Sequence, residues 1–160
     1  ELQEGLRSVR DLSARLQPPL LEEIGLVAAL HRHADYFKRQ TGIEVELVGW
    51  DGLTWRFPST VELAIFRIVQ EALENTRQHS RASRARVECE NKNGNLIVTI
   101  ADNGQGFPTG SMTPGHRLGL VMMQDRAELL DGKLQIFSDP GQGVRVVLTA
   151  PLYMPGLVAH

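Results

Sequence analysis

Glu71-Ala72-Leu73-Glu74-Asn75-Thr76-Arg77-Gln78-His79 is the stretch on which the fold and chemistry of this chain turn. It closes a longer helical pattern in which Val61, Ile65, Ile68, Val69, Ala72 and Leu73 share one stripe. Spacings of three and four residues are those of an amphipathic helix. Ser59-Thr60-Val61-Glu62 has capping-box spacing and predicts the helix start. Glu71, Asn75 and His79 are four residues apart and stack along one side of that helix. Their line borders the apolar stripe, so it faces the edge of a cleft. An asparagine carbonyl is a hard oxygen ligand of the kind Mg²⁺ takes. A carboxylate one turn away is placed to orient or deprotonate a nucleophile. Arg77 and His79 add positive charge suited to phosphates. Taken alone, the helix is also compatible with a solvated polar face that holds no ligand, the commoner arrangement.

About thirty residues further on stands Asp102-Asn103-Gly104-Gln105-Gly106-Phe107, directly after the alternating pattern Leu96, Val98, Ile100. Glycines allow positive φ and close backbone approach to a ligand. A buried aspartate at such a strand exit can accept a hydrogen bond from an exocyclic amine, such as that of adenine. Asp, Asn and Gly are also ordinary turn residues, so a plain strand exit stays open as the second reading. The loop from Phe107 to Arg117 contains Gly110, Pro114 and Gly115. It is a lid over phosphates or a connection, and its length favours the lid. Gly119-Leu120 then open a helix, expected from about Leu118 to Leu130, whose N-terminal amides favour anions.

Working outward, Leu2, Val9 and Leu16 recur every seven residues, so residues 2–16 read as an amphipathic helix or the end of a coiled coil. Pro18-Pro19 sets a boundary. A second helix covers roughly 21–40, with Leu26, Ala29, Leu30, His33 and Phe37 on one side and Gly42 at its stop. Ile43, Val45 and Leu47 read as a strand, and Trp55 with Phe57 as another short one. Ala85, Val87 and Cys89 alternate with charged residues. Asn93-Gly94 joins them to the Leu96–Ile100 strand as a hairpin. Leu134 and Ile136, then Val144, Val146 and Leu148, mark two more strands around the turn Asp139-Pro140-Gly141-Gln142-Gly143. The expected fold class is α+β: a two-layer sandwich, its mixed, mostly antiparallel sheet packed on helices. A β-α-β unit with a glycine loop after its first strand is missing, which disfavours a dinucleotide fold.

The chain has 160 residues, 42% of them hydrophobic, enough for one domain with a real core. A formal net charge of -2 argues against a general nucleic-acid binder. Cys89 is the one cysteine, which rules out an internal disulfide and suits a reducing compartment. No apolar run approaches a membrane span and no signal peptide opens the chain. Glu1 begins in mid-pattern, as in a fragment of something longer, a membrane protein included. His31 and His33 make no metal-ligand spacing, and there is no zinc pattern or nucleophile elbow. Asp125, Arg126 and Glu128 read as surface charges or local pairs, and Trp50 and Trp55 as packing residues.

Taken in order, these pieces resemble the ATP-binding domain of sensor histidine kinases, of the superfamily shared with DNA gyrase, the Hsp90 chaperones and MutL. The match covers about residues 20–151. Glu71 to His79 resembles the N box, Asp102-x-Gly104-x-Gly106 the first glycine box, His116-Arg117-Leu118-Gly119-Leu120 the second, and Pro140-Gly141-x-Gly143 the closing one. Leu16 to Leu26 and Met123 to Gly132 resemble the nitrate-sensor-like subgroup. The resemblance implies the Bergerat ATP-binding fold, with ATP and Mg as ligands. Asn75 would hold the Mg²⁺ that bridges the phosphates, and Asp102 the adenine amino group. Gly104 and Gly106 would let the backbone close on the nucleotide. Gly119 and Leu120 would stand at the lid base. Glu71 would help activate the acceptor histidine, and Arg77 and His79 would lie near the phosphate end.

The same resemblance implies residues 1–20 as the end of a dimerisation helix and linker, 21–151 as the catalytic domain and 152–160 as a flexible tail. Residues 1–30 contain no histidine, so the acceptor is absent from this chain and autophosphorylation needs the full-length kinase. Implied partners are the histidine-bearing dimerisation domain, a response regulator and, at full length, a second copy. Direct nucleic-acid contact is not expected, and the location is cytoplasmic, in a parent that is possibly membrane-anchored. Val144 stands where the family often has threonine, and Arg117 where some relatives have a lid glycine. Rival readings are an ATPase or serine kinase of the same fold, and a nucleotide-free dimerisation or interaction module.

Overall fold

The computed structural model describes residues 18–52, 56–79, 81–106, 114–138 and 140–152. The helix expected over 2–16, Trp55, the loop residues 107–113 and the chain after Leu152 lie outside the described residues. In chain order the elements are α1 (Pro18–Thr41), β1 (Glu44–Val48), a 3₁₀ turn (Trp50–Gly52), α2 (Ser59–His79), β2 (Arg84–Lys92), β3 (Asn95–Asp102), α3 (Pro114–Leu129), β4 (Lys133–Ser138) and β5 (Val144–Pro151).

The strands form one five-stranded sheet in the order β1-β2-β3-β5-β4. Only β1 and β2 run parallel, and α2 supplies the long crossover that a parallel pair requires. The other neighbours are antiparallel. Alternation sets the register. Val87 faces Ile100, which faces Val146, which faces Ile136; Cys89, Val98, Leu148 and Leu134 make the next row. These rows form the sheet side of the core and meet Ile65, Ile68, Val69 and Leu73 of α2. A slip of one residue would turn Arg86 and Glu88 inward, which is why the register is firmly specified. Asn93 and Gly94 both have positive φ, as a two-residue type I′ hairpin demands. The α+β architecture read from the sequence is the one observed.

Four local expectations change. First, α1 is not continuous. Gly25 adopts φ 85° and ψ 167°, outside helical values, and interrupts it. Second, Glu62 does not close a capping box. Its side chain is 3% exposed and forms an ion pair with Arg56, Nη2 to Oε1 at 2.8 Å. Its Oε2 also accepts the Leu26 amide at 3.3 Å, the first amide after the Gly25 break. Arg56 Nη2 donates to the Glu22 carbonyl at 3.1 Å, on the other side of the break. The start of α2 is instead closed by the Pro58 carbonyl, which accepts from Val61 and Glu62 at 3.0 Å each. Third, Phe57 is not in a strand; it is buried in the irregular segment before α2. Fourth, Leu152, expected to begin a loose tail, packs on the core and donates its amide to the Gly94 carbonyl at 2.9 Å.

Candidate functional site

Several parts of the chain close around the carboxylate of Asp102, the last residue of β3. Its Oδ1 accepts the Gly104 amide at 2.8 Å and the Val144 amide at 3.3 Å. Its Oδ2 lies 3.2 Å from the Thr76 hydroxyl, which also reaches the Ala72 carbonyl at 3.1 Å. Thr76 is next to Asn75, so the helix motif and the glycine turn are tied by a side-chain hydrogen bond. Asn103 fixes the turn from behind. Its Oδ1 accepts the Ser83 and Arg84 amides, both at 3.0 Å, and its Nδ2 donates to Ser83 Oγ at 2.9 Å.

The closing turn presses on the same carboxylate. Gly143 has φ +76°, and a Cβ there would stand 2.2 Å from the Asp102 carbonyl oxygen. Only glycine fits. The Gly141 amide donates to the Gln105 carbonyl at 2.5 Å, locking this turn onto the first glycine turn. Gly104 is buried, and Gly106 has φ 65°. Asp102 Oδ2 receives only the Thr76 hydroxyl among the described residues, and a carboxylate oxygen can accept two hydrogen bonds. One acceptor position is therefore left, which fits an N–H of a ligand.

On α2, Glu71 and Asn75 are both half-buried. The Asn75 side chain makes no hydrogen bond among the described residues, so its carbonyl is available as a donor atom to a hard cation. The His79 side chain lies outside the described part of the structure. Arg77 is exposed and turned onto Glu74, its Nε at 3.0 and 3.1 Å from the two carboxylate oxygens. That hydrogen bond holds its guanidinium above its ordinary pKa. Arg77 is thus neutralised locally and is not brought to Asp102. Helix α3 begins at Pro114, earlier than expected, so Gly119 and Leu120 lie in its second turn rather than its first. Gly119 is a point of close approach: a Cβ there would stand 2.5 Å from Glu71 Oε1.

Reading the motifs had passed over Thr76, Asn103 and the Val144 amide. Thr76 carried a signal: it continues the apolar stripe of α2 and is 5% exposed, and a buried hydroxyl needs a partner. The Val144 amide carried none, because backbone donors are invisible to residue identity.

The chain belongs to the family described as histidine kinase-, DNA gyrase B- and HSP90-like ATPases, which it matches over residues 60–154. It is an ATP-binding catalytic domain of histidine-kinase type. Its relatives include the signal transduction histidine-protein kinase/phosphatase DegS of Brevibacillus brevis, 37% identical over 92% of this chain and 38% of that protein. The oxygen sensor histidine kinase NreB of Staphylococcus carnosus is 34% identical over 90% of this chain and 41% of that protein. The chain therefore spans about two fifths of the length of these relatives. Among solved structures, the blue-light activated histidine kinase of Erythrobacter litoralis EL346 superposes with TM-score 0.69 at 27% identity, over 91% of this chain and 48% of that one. Its histidine kinase domain gives 0.64 at 26% identity, over 79% and 61%. Among the described residues, no helix is long and apolar enough to cross a membrane.

Proposed function

We propose that this domain binds Mg·ATP between α2, the end of β3 and the start of α3, and presents the γ-phosphate to a histidine of another domain. The observation that carries this is the Asp102 carboxylate, held by two amides and a hydroxyl with one acceptor position left. An adenine amino group fills that position, and Thr76 and Gly143 keep the carboxylate aimed. Gly104 and Gly106 line the base side. Mg²⁺ characteristically takes few protein ligands and several phosphate oxygens, and Asn75 supplies such a ligand. The metal's contribution is to neutralise charge on the phosphates. Glu71 orients the acceptor imidazole and accepts its proton. Gly119 and Leu120, in the second turn of α3, stand near the phosphates, and His79 lies near their far end. Arg77 joins them only by leaving Glu74.

Residues 1–20 then belong to a dimerisation helix and linker, 21–151 together with the packed Leu152 to the catalytic domain, and the chain after Leu152 to a tail. The acceptor sits on the dimerisation domain of the full-length homodimer, on the cytoplasmic side of any membrane anchor, and a response regulator receives the phosphoryl group from it. Catalysis rests on positioning and charge neutralisation, as in other phosphoryl transfers. The test is calorimetric titration with ATP and GTP, with and without Mg²⁺. ATP should bind in preference to GTP, with Mg²⁺ dependence lost in Asn75→Ala and base preference lost in Asp102→Ala. Equal ATP and GTP affinity in the unmutated chain overturns the assignment of Asp102. Steady ATP hydrolysis without any acceptor moves Glu71 to activation of water, the gyrase-like reading.

A further inference from the structure

Outside the Asp102 cradle, a groove runs between α1, α2 and α3, with a cavity of about 170 Å³. Arg67 of α2 and Arg126 of α3 line it together with Tyr36, Gln40, Gln70 and Met122. Both arginines are half-buried, and neither has a hydrogen-bond or ion-pair partner among the described residues. Burial, and then the neighbouring charge of Arg126, hold Arg67 below its ordinary pKa. Glu71 and Glu74 also line the groove, but neither forms an ion pair with Arg67 or Arg126 among the described residues. Glu71, one turn on from Arg67, has its Oε1 against Gly119. Glu74 accepts from Arg77 and, at 3.1 Å, from Gln78. Arg126 is thus neither a free surface charge nor half of a local pair, as the sequence had led us to expect.

Two partly desolvated like charges repel unless an anion lies between them. Guanidinium groups present planar forks of donors that match carboxylate and phosphate oxygens. The cavity is several times the roughly 30 Å³ that one water occupies in the liquid. That admits an oxyanion with a few carbons. We propose that Arg67 and Arg126 form a binding site for a single small oxyanionic group, a carboxylate or a phosphate, away from the Asp102 cradle. The group is either free in solution or the tip of an acidic side chain of another protein.

Isotope-labelled protein at low ionic strength, titrated separately with inorganic phosphate, succinate and N-acetyl-aspartate amide, tests this by following side-chain and backbone N–H resonances. The Arg67 and Arg126 Nε–H signals should shift and saturate, and should not do so in Arg67→Gln or Arg126→Gln. Response to phosphate or succinate identifies a free anion, and response to the blocked aspartate identifies a protein side chain. Shifts confined to the Gly104–Gly106 and Gly119–Leu120 amides would put the anion in the nucleotide site and overturn the proposal, as would no saturable shift with any probe. A second readout needs no ligand. In buffer free of multivalent anions, Arg126→Gln should raise the thermal midpoint by removing the repulsion; a lowered midpoint means that Arg126 already has a partner, and the proposal fails.

Discussion

Gly141 and Gly143 both have positive φ, 80° and 76°, in the same turn, yet alanine should be tolerated at one and not at the other. At Gly141 a Cβ meets nothing within 4 Å. The cost there is backbone strain alone, about 1–2 kcal/mol. At Gly143 the same strain is joined by a Cβ placed 2.2 Å from the Asp102 carbonyl oxygen and 3.2 Å from Oδ1. Relief requires β5 to draw back from β3, which breaks the Val144 amide bond to Asp102. Such a bond to a charged acceptor contributes about 1.5–3 kcal/mol, so the total for Gly143→Ala is about 2.5–5 kcal/mol. Urea unfolding, analysed with a common slope, measures both variants. ATP calorimetry should show Gly141→Ala close to the parent and Gly143→Ala weakened at least ~10-fold, since the carboxylate it presses on is displaced. Equal destabilisation by the two substitutions would refute the steric argument and leave only φ.

Glu62→Ala leaves the Leu26 amide without its carboxylate and should cost about 2–4 kcal/mol by urea unfolding, below a fully buried pair because Arg56 is 55% exposed and returns to water. Thr76→Val keeps the shape but removes the hydroxyl facing Asp102; we expect about 1 kcal/mol of stability lost and several-fold weaker ATP binding, with the fold intact by circular dichroism. Burial pushes the Cys89 thiol up from 9.0 to about 11. The neutral thiol is the form the fold favours, so this stabilisation is complete below the unfolded value and is lost as pH rises through about 11. The stability difference between the parent and Cys89→Ala should therefore shrink by roughly 2–3 kcal/mol across that window. A pH-independent difference would mean that the thiol is in contact with solvent.

Features whose cause is local could be read from the residues. The stripe of α2, the alternation of β2, β3 and β5 and the Asn93-Gly94 turn each follow from periodicity or from φ preferences of a few neighbours. Strand order was not legible: β5 inserts between β3 and β4, and nothing in either strand marks its neighbour. The Gly25 break was hidden because Leu21 and Leu26 both lie in the buried pattern, while the groups that satisfy the broken backbone come from Glu62, 36 residues away, and from Arg56. The same long-range demand defeated the capping-box reading of Glu62. In the site, Asp102 and Asn75 stood out by residue type and spacing, whereas the geometry that aims Asp102 comes from a backbone amide, a threonine and a steric contact at Gly143. Arg77 went the other way: its charge suggested phosphate, and its neighbour three residues back takes it up.

The interruption at Gly25 has a mechanical meaning. An unbroken helix carries torque as a stiff rod. Here the turns on either side of residue 25 are joined by one glycine, by side chains that bridge it, Arg56 to Glu22 on one side and Glu62 to Leu26 on the other, and by Leu21, which packs in the core. Because Arg56 is more than half exposed, the stiffness of that joint is partly electrostatic. The bridge therefore loosens as ionic strength rises, while the apolar packing of Leu21 does not.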